Sequence, residues 1–499
     1  MIISNIKLKN KEIFIYITIL FLFIIRISTI LFPINFQQDD ISELRTIYFD
    51  SFLCAIEYSG DNHPLFSAII WLISRFLPNP EYLLSSLILI TTISSLFLIY
   101  KILEIQYSSR AGVFILVILL FSPVLNTYSV ALKQYAFEFF TTIFLIRVTQ
   151  KYTLNESNNI NLTKYFFISG FLFLISFVNI FPILLTLTFI SIKSKRISYK
   201  YLLAVLLFFL PAAPFFIQKL QRVNLGGYWD NFFISNTESF TLLENLYFLL
   251  SLFVKSLFVE NLNIIAIALV IFSLSFSIIS KNYFLIYSSF GFISVFFLSA
   301  AKIYPLGGGR TDLLFIPYLC VLVAYTFNYF DSKFGMKNSV IVLFIIFYSL
   351  NGFLNSKPYY KNEYIQDIIS EVSSSINTES TEIIVSGEQY QSFLYYSKPF
   401  VGSKNIQDIN LCRKTIPNIK NLTIYSKNQF MKNIEFKKIN PIDFNSLNKK
   451  SIILIGIELP GTNSQFKKIE YILKSNNYDV VNEKTYSTSM KLSYFKLDE

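Results

Sequence analysis

IFIYITILFLFIIRISTILF, residues 13–32, is followed after two residues by NFQQDDISEL, residues 35–44. The first stretch carries one charge, Arg26, and is long enough to cross a hydrocarbon core of about 30 Å. It is too long for a removable signal peptide and lacks a small-residue cleavage site, so it is expected to stay as an anchor. Lys7, Lys9 and Lys11 precede it, and an excess of basic residues marks the cytoplasmic flank. The N-terminus is therefore expected inside. The adjacent carboxylates Asp39 and Asp40 are expected where the chain emerges on the outside.

The rest of the chain repeats this pattern. Of 499 residues, 53% are hydrophobic and only 15% charged, well below the roughly one quarter of charged residues in a soluble domain. Apolar runs recur at 82–100, 111–127, 133–150, 201–217, 263–280, 283–300, 312–330 and 338–355. The run 165–192 has Lys164 before it and Lys193, Lys195 and Arg196 after it. Both ends then belong inside, so it should turn back near Asn179 and Pro182 as two short helices. Segment 64–77 is too short to cross and contains Arg75, and segment 243–259 contains Glu244 and Lys255. Both are expected as helices at the outer surface. The count is about eleven spans, with a long outer loop over 33–81.

Beyond residue 355 the composition turns polar. Residues 356–499 alternate helix-like stretches (YIQDIISEVSSSI, QYQSFLYYS, QFKKIEYILKSN) with strand-like ones (EIIVSG, SIILIGI). The expected architecture is a polytopic α-helical membrane domain over 1–355 and a small α/β domain over 356–499 on the outer side. Net charge is +11, yet residues 357–499 hold 19 Lys/Arg against 15 Asp/Glu. Most of the excess lies in short membrane loops, which argues for topology signals and against nucleic acid. Three cysteines, Cys54, Cys320 and Cys412, form neither a disulfide framework nor a metal pattern.

Three outward-facing constellations carry chemistry. In the first, Asp40-Ile-Ser-Glu43 has the form of a capping box, so Asp40 is expected to start an amphipathic helix and Asp39 to stand just ahead of it. Neighbours on a helix point about 100° apart, so the two acids are not expected to work as one pair. The same loop ends GDNHPLF with His63, the sole histidine. It is suited to a phosphate hydrogen bond or to a cation beside Asp39 or Asp61, and equally to a plain loop position before Pro64 at the first turn of a helix. The second constellation is ALKQYAFE, with Lys133, Gln134, Tyr135 and Glu138 at the mouth of a span, where ionisable groups are costly. A lysine that snorkels to water is the simpler alternative for Lys133. The third is KIYPLGGGRTDLLF, where Gly307, Gly308 and Gly309 precede a helix that begins with Arg310. Backbone amides and a guanidinium there suit a phosphate.

Taken together, these motifs resemble the GT-C membrane glycosyltransferases of the protein-mannosyltransferase and aminoarabinose-transferase type, over about residues 10–355. QQDD stands where that family has an acidic pair, usually Asp-Glu. His63-Pro64-Leu65 resembles its His/Lys-Pro-Pro-Leu turn, one proline short. ALKQYAFE and YPLGGGRTDLLFIP resemble two further family segments. The resemblance implies transfer of a sugar from a polyprenyl-phosphate donor, with inversion, outside the cytoplasmic membrane. It implies Asp39 as base, with Asp40 one methylene shorter than the usual Glu. His63, Lys133, Tyr135, Arg310, Gly308 and Gly309 fall to the phosphate and donor. Several members of the family bind a divalent metal; this sequence neither demands nor excludes one. The acceptor, whether glycan, lipid or protein, is not specified by these residues. The alternative class is a transporter or flippase of lipid-linked sugars, but no repeat is visible and the charged candidates gather on one face.

Overall fold

The computed structural model describes residues 63–76, 80–129, 131–154, 162–194, 232–234, 241–258, 263–280, 282–307 and 309–335, the strands between 381 and 497, and scattered single residues. The chain divides into two compact units, one of residues 1–31, 61–69 and 77–357, the other of 32–60, 70–76 and 358–499.

The first helix, α1 (Pro64–Phe76), starts on the proline of the HPLF turn. The Ser67 amide donates to the His63 carbonyl at 3.0 Å, closing its first turn. In the first unit follow α2 (Pro80–Gln106), α3 (Ser109–Leu120), α4 (Pro123–Tyr128), α5 (Tyr135–Thr153), α6 (Leu162–Ile175) and α7 (Ile180–Ser194). After them come α8 (Leu242–Leu257), α9 (Asn263–Ile279), α10 (Tyr283–Ala300) and α11 (Ile316–Phe334). Within α2 and α10, the stretches Leu83–Gln106 and Tyr283–Ala300 are long and apolar enough to cross a membrane. The shorter helices are apolar too, and α9 and α10 leave Ile271, Ile279, Phe290 and Phe297 exposed. Large apolar side chains in such numbers on an outer face suit a lipid solvent. Of the expected spans at 13–32, 201–217 and 338–355, most residues lie outside those described.

Two expected spans are broken. Run 111–127 stops at Phe121, and Ser122 caps a new short helix with Pro123 in its first turn. Proline has no N–H to continue a helix but suits its start. Run 312–330 opens as a 3-10 turn, Arg310–Leu314, before α11.

Helix α5 shows how the broken run 165–192 folds. Lys151 near the end of α5 donates to Tyr165 in the first turns of α6 at 3.5 Å. Lys193 at the end of α7 donates to the carbonyls of Tyr152 and Thr153, at 3.3 and 3.4 Å. The interruption, a 3-10 turn over Phe177–Asn179, reaches the other end of α5, where Ser176 meets Glu138. The two short helices thus form a hairpin along α5, as the flanking lysines require.

The helices therefore share two ends. At one, Gln150 of α5 donates to Gln106 of α2 at 3.3 Å and Arg110 of α3 pairs with Asp331 of α11 at 3.1 Å. Lys193 lies 5.9 Å from the Tyr283 ring of α10. This end holds the basic cluster of Arg110, Lys151 and Lys193. The other end collects His63, Lys133, Tyr135, Glu138, Tyr304 and Arg310. Between them, Thr186 and Tyr287 (2.7 Å), Ser277 and Ser289 (2.6 Å), and Thr326 and Ser273 (3.0 Å) bond helix to helix. Such bonds hold apolar helices together where lipid gives no hydrophobic drive.

The second unit contains a five-stranded sheet in the order β4-β1-β5-β7-β6. Strands β1 (Thr381–Ser386), β4 (Leu422–Tyr425) and β5 (Ser451–Ile457) run parallel; β7 (Met490–Leu497) is antiparallel to β5 and to β6 (Tyr478–Thr485). Two short strands, β2 (Asn405–Ile406) and β3 (Ile416–Pro417), pair apart from it. Ile452, Leu454, Leu473, Tyr478 and Phe495 make its core. EIIVSG and SIILIGI are the strands β1 and β5, as their β-branched runs indicate. Phe52 and Ile56 of the expected loop helix are helical, and Phe52 meets the Trp71 ring edge-on at 5.9 Å.

Candidate active site

The residues at the end away from the basic cluster come from four short pieces of chain. His63 stands just before α1, its ring 6.1 Å from Phe177 in the hairpin turn. Lys133 and Gln134 form the bend before α5, whose amide–carbonyl contact from Lys133 to Ala131 is 2.7 Å. Glu138 follows one turn into α5, where a helix N-terminus favours negative charge. The 3-10 turn of Arg310–Leu314 packs against α4 and α5.

These groups are buried. His63 is 1% exposed, Lys133 4%, Glu138 1% and Asp312 0%. Lys133 therefore does not snorkel out to water. Glu138 accepts from the Ser176 hydroxyl at 2.6 Å across 38 residues of sequence. The Arg310 guanidinium lies 6.0 Å from the centre of the Tyr135 ring, within cation–π range. Tyr304, in the loop before the 3-10 turn, donates to the Thr311 carbonyl at 3.0 Å. Burial raises its hydroxyl pKa well above 10, helped by the nearby Glu138, Tyr135 and Asp312, while Arg310 pulls the other way. Tyr304 thus stays a neutral phenol at physiological pH, under the influence of both signs of charge.

Two amides of the glycine turn are engaged within the turn itself. The amides of Gly307 and Gly309 donate to the two carboxylate oxygens of Asp312, at 2.9 and 3.1 Å. Gly309 N–H is thereby engaged within the turn, and the neighbouring Arg310 side chain is half-buried. Gly307 has φ +74°, and a Cβ on it would sit 2.9 Å from the Leu249 carbonyl of α8. Glycine is needed there for both reasons. Helix α8 is seated on this loop, held by a capping box between Thr241 and Glu244. Its Asn245 amide donates to the carbonyls of Phe233 and Ile234, at 2.9 and 3.1 Å.

Of the residues singled out from sequence, Tyr135 and Arg310 come together, and His63, Lys133 and Gly309 lie at the same end of the unit. Asp39, Asp40 and Gly308 lie outside the described residues. Among the described residues no three His, Cys, Asp or Glu side chains gather as a metal set. Sequence reasoning missed Ser176, Tyr304 and Asp312 as members of this group. The signals were there: a buried Glu138 needs a donor, and Asp312 stands three residues after a glycine, as a cap does.

No protein-family model matches this chain, and no curated protein does. Among solved structures it is similar to ArnT from Cupriavidus metallidurans in the apo state, with a TM-score of 0.50 at 10% identity, over 86% of this chain and 87% of that one. It also matches the Archaeoglobus fulgidus oligosaccharyltransferase AglB in complex with an inhibitory peptide and a dolichol-phosphate, with a TM-score of 0.46 at 12% identity, over 84% of this chain. A complex of that organism's oligosaccharyltransferase with Zn and sulfate gives 0.44 at 13% identity. The chain covers 56% of the length of that last protein and 66% of the AglB chain. The fold is shared with ArnT along nearly the whole of both chains.

Proposed function

We propose that this protein transfers a sugar from a polyprenyl-phosphate donor to an acceptor on the extracytoplasmic face of the membrane, with inversion at the anomeric carbon. The carrying observation is Arg310 held over the Tyr135 ring at the end of the unit opposite the basic cluster. Lys101, Arg110, Arg147, Lys151 and Lys193 mark the cytoplasmic end by the distribution of positive charge. The site then faces outward, and the polar domain over 356–499 follows the last span on that side.

In the reaction, an acceptor hydroxyl attacks the anomeric carbon while Asp39 takes its proton, which requires the carboxylate within about 3 Å of that oxygen. The bond from the anomeric carbon to the phosphate oxygen breaks, and the departing polyprenyl phosphate gains a full negative charge. Arg310 and Lys133, with His63 as hydrogen-bond donor, offset that charge in a site largely closed to water. Tyr135 fixes the guanidinium plane. Asp40 starts the loop helix and holds Asp39 at its mouth. The Gly308 amide remains a further candidate for the phosphate. The ArnT-type fold supports this chemistry as a frame, and the cations and carboxylates named here would supply it.

Purified Asp39→Asn protein, given synthetic polyprenyl-phosphate sugars and a mixture of lipid, glycan and peptide acceptors, should lose about 10²- to 10⁴-fold in transfer. Retention of most of the activity would sink the assignment.

A further inference from the structure

Around Glu138, the same end of the unit holds buried oxygens with no hydrogen bond among the described residues. Among them are Asn179 Oδ1, Gln134 Oε1 and Thr311 Oγ1, in side chains that are 0%, 5% and 8% exposed. Buried polar atoms are normally satisfied, so three in one neighbourhood point to a partner that the protein does not itself supply.

Gln134 and Asn179 are tied to Glu138 through hydrogen bonds, and Thr311 is linked to it through Tyr304. The Glu138 amide donates to the Gln134 carbonyl at 3.1 Å, which puts the two side chains one turn apart on one face of α5. Glu138 accepts from Ser176, and the Asn179 amide closes a turn onto the Ser176 carbonyl at 3.1 Å. Thr311 lends its carbonyl to Tyr304, whose hydroxyl lies in the field of Glu138. The orientation of Asn179 is settled by its nitrogen. Nδ2 donates to the Leu172 carbonyl at 2.8 Å, capping the end of α6, so Oδ1 faces away from that helix as an acceptor. Gln134 stands at the N-cap of α5 without capping it.

The chemistry of the two amide oxygens in this set is one-sided. Amide oxygens have lone pairs only, a threonine hydroxyl can accept, and the Glu138 carboxylate already accepts from Ser176. An ionised phosphate also brings lone pairs, so it has nothing to give the two amide oxygens, and only the Thr311 hydroxyl could donate to it. A sugar ring brings several O–H donors. The cations Arg310 and Lys133 have the opposite character, with donors and no acceptors.

We infer that Asn179, Gln134 and Thr311 form the wall that receives the hydroxyl groups of the donor sugar, distinct from the cations that meet its phosphate. This rests on the glycosyltransferase function proposed above. The ring is then gripped by acceptors while the phosphate is gripped by donors, which orients the anomeric bond between them.

The test is binding of undecaprenyl phosphate, and of a set of undecaprenyl-phosphate hexoses and pentoses, to the full-length protein in nanodiscs. The wild type should hold at least one glycosylated lipid more tightly than the bare phosphate. Asn179→Ala and Thr311→Val should each weaken that lipid about 5- to 20-fold and leave undecaprenyl phosphate within about two-fold. Thr311→Val keeps the side-chain shape and the carbonyl used by Tyr304, so it serves where loss of the Asn179 cap prevents folding. Variants that bind the glycosylated lipid as the wild type does, or that lose both lipids equally, overturn the inference. So does a wild type that binds undecaprenyl phosphate but prefers no sugar. A wild type that binds none of these lipids overturns the underlying function instead.

Discussion

At the basic end of the helical unit, Lys193 donates to two carbonyls at the end of α5 and Arg110 pairs with Asp331 near the surface. At the opposite end, Lys133, Glu138 and Asp312 are almost wholly enclosed. The residue types are alike, but their surroundings differ. Cations beside helix C-termini and in exposed pairs are offset by dipole and solvent, and their removal costs little. Enclosed charges have given up hydration, so each needs a partner in the protein or in a ligand. A burial this costly suits a site that works on charge, whereas the basic end suits topology and helix capping.

That contrast can be broken by substitution. The largest expected effect is Arg310→Ala, which should lower kcat/KM by about 10²- to 10³-fold with the melting temperature little changed. An equal loss from Arg110→Ala would erase the distinction between the ends. Next comes Ser176→Ala, which takes the hydroxyl from a buried carboxylate and should cost about 1–3 kcal/mol, read as a lowered melting temperature in detergent. Gly307→Ala should cost roughly 1–2 kcal/mol for its left-handed φ alone. It should also disturb activity through the Leu249 contact, seen as a rise in donor KM. Smallest is Arg110→Ala, whose pair is partly exposed, with about 0–1 kcal/mol and full transfer activity. A clear loss of activity there would give the basic end a role this comparison denies it.

Much of the helical frame was legible because solvent preference is written residue by residue. Lys164 and Lys193 on either side of one apolar run already required a hairpin, and the contacts of Lys151 and Lys193 with neighbouring helices at one end of α5 agree. The break at Ser122–Pro123 was less visible, because the apolar run 111–127 hides a cap in its middle. In the second unit β1 and β5 are plain β-branched runs. Strand β6, YDVVNEKT, is not, because most of it is exposed at the sheet edge and shows no buried alternation. Part of the glycine turn is used within the turn for a local reason. A Gly-Gly-Gly-Arg run offers amides to an anion, but Asp312 reaches back to take two of them, and that depends on the positive φ of Gly307 and Gly309.

The sequence by itself determined that this is a largely apolar helical chain followed by a polar α/β region, and it singled out His63, Lys133, Tyr135 and Arg310 as candidates. Composition and periodicity report each segment's solvent, so they suffice for that. Only the tertiary structure decided that Glu138 bonds Ser176, that Arg310 rests over Tyr135, and that Asn179, Gln134 and Thr311 bring their oxygens to the same end. Those pairings join segments 38 or more residues apart, and a contact across such a distance is set by how helices pack, which no local pattern encodes.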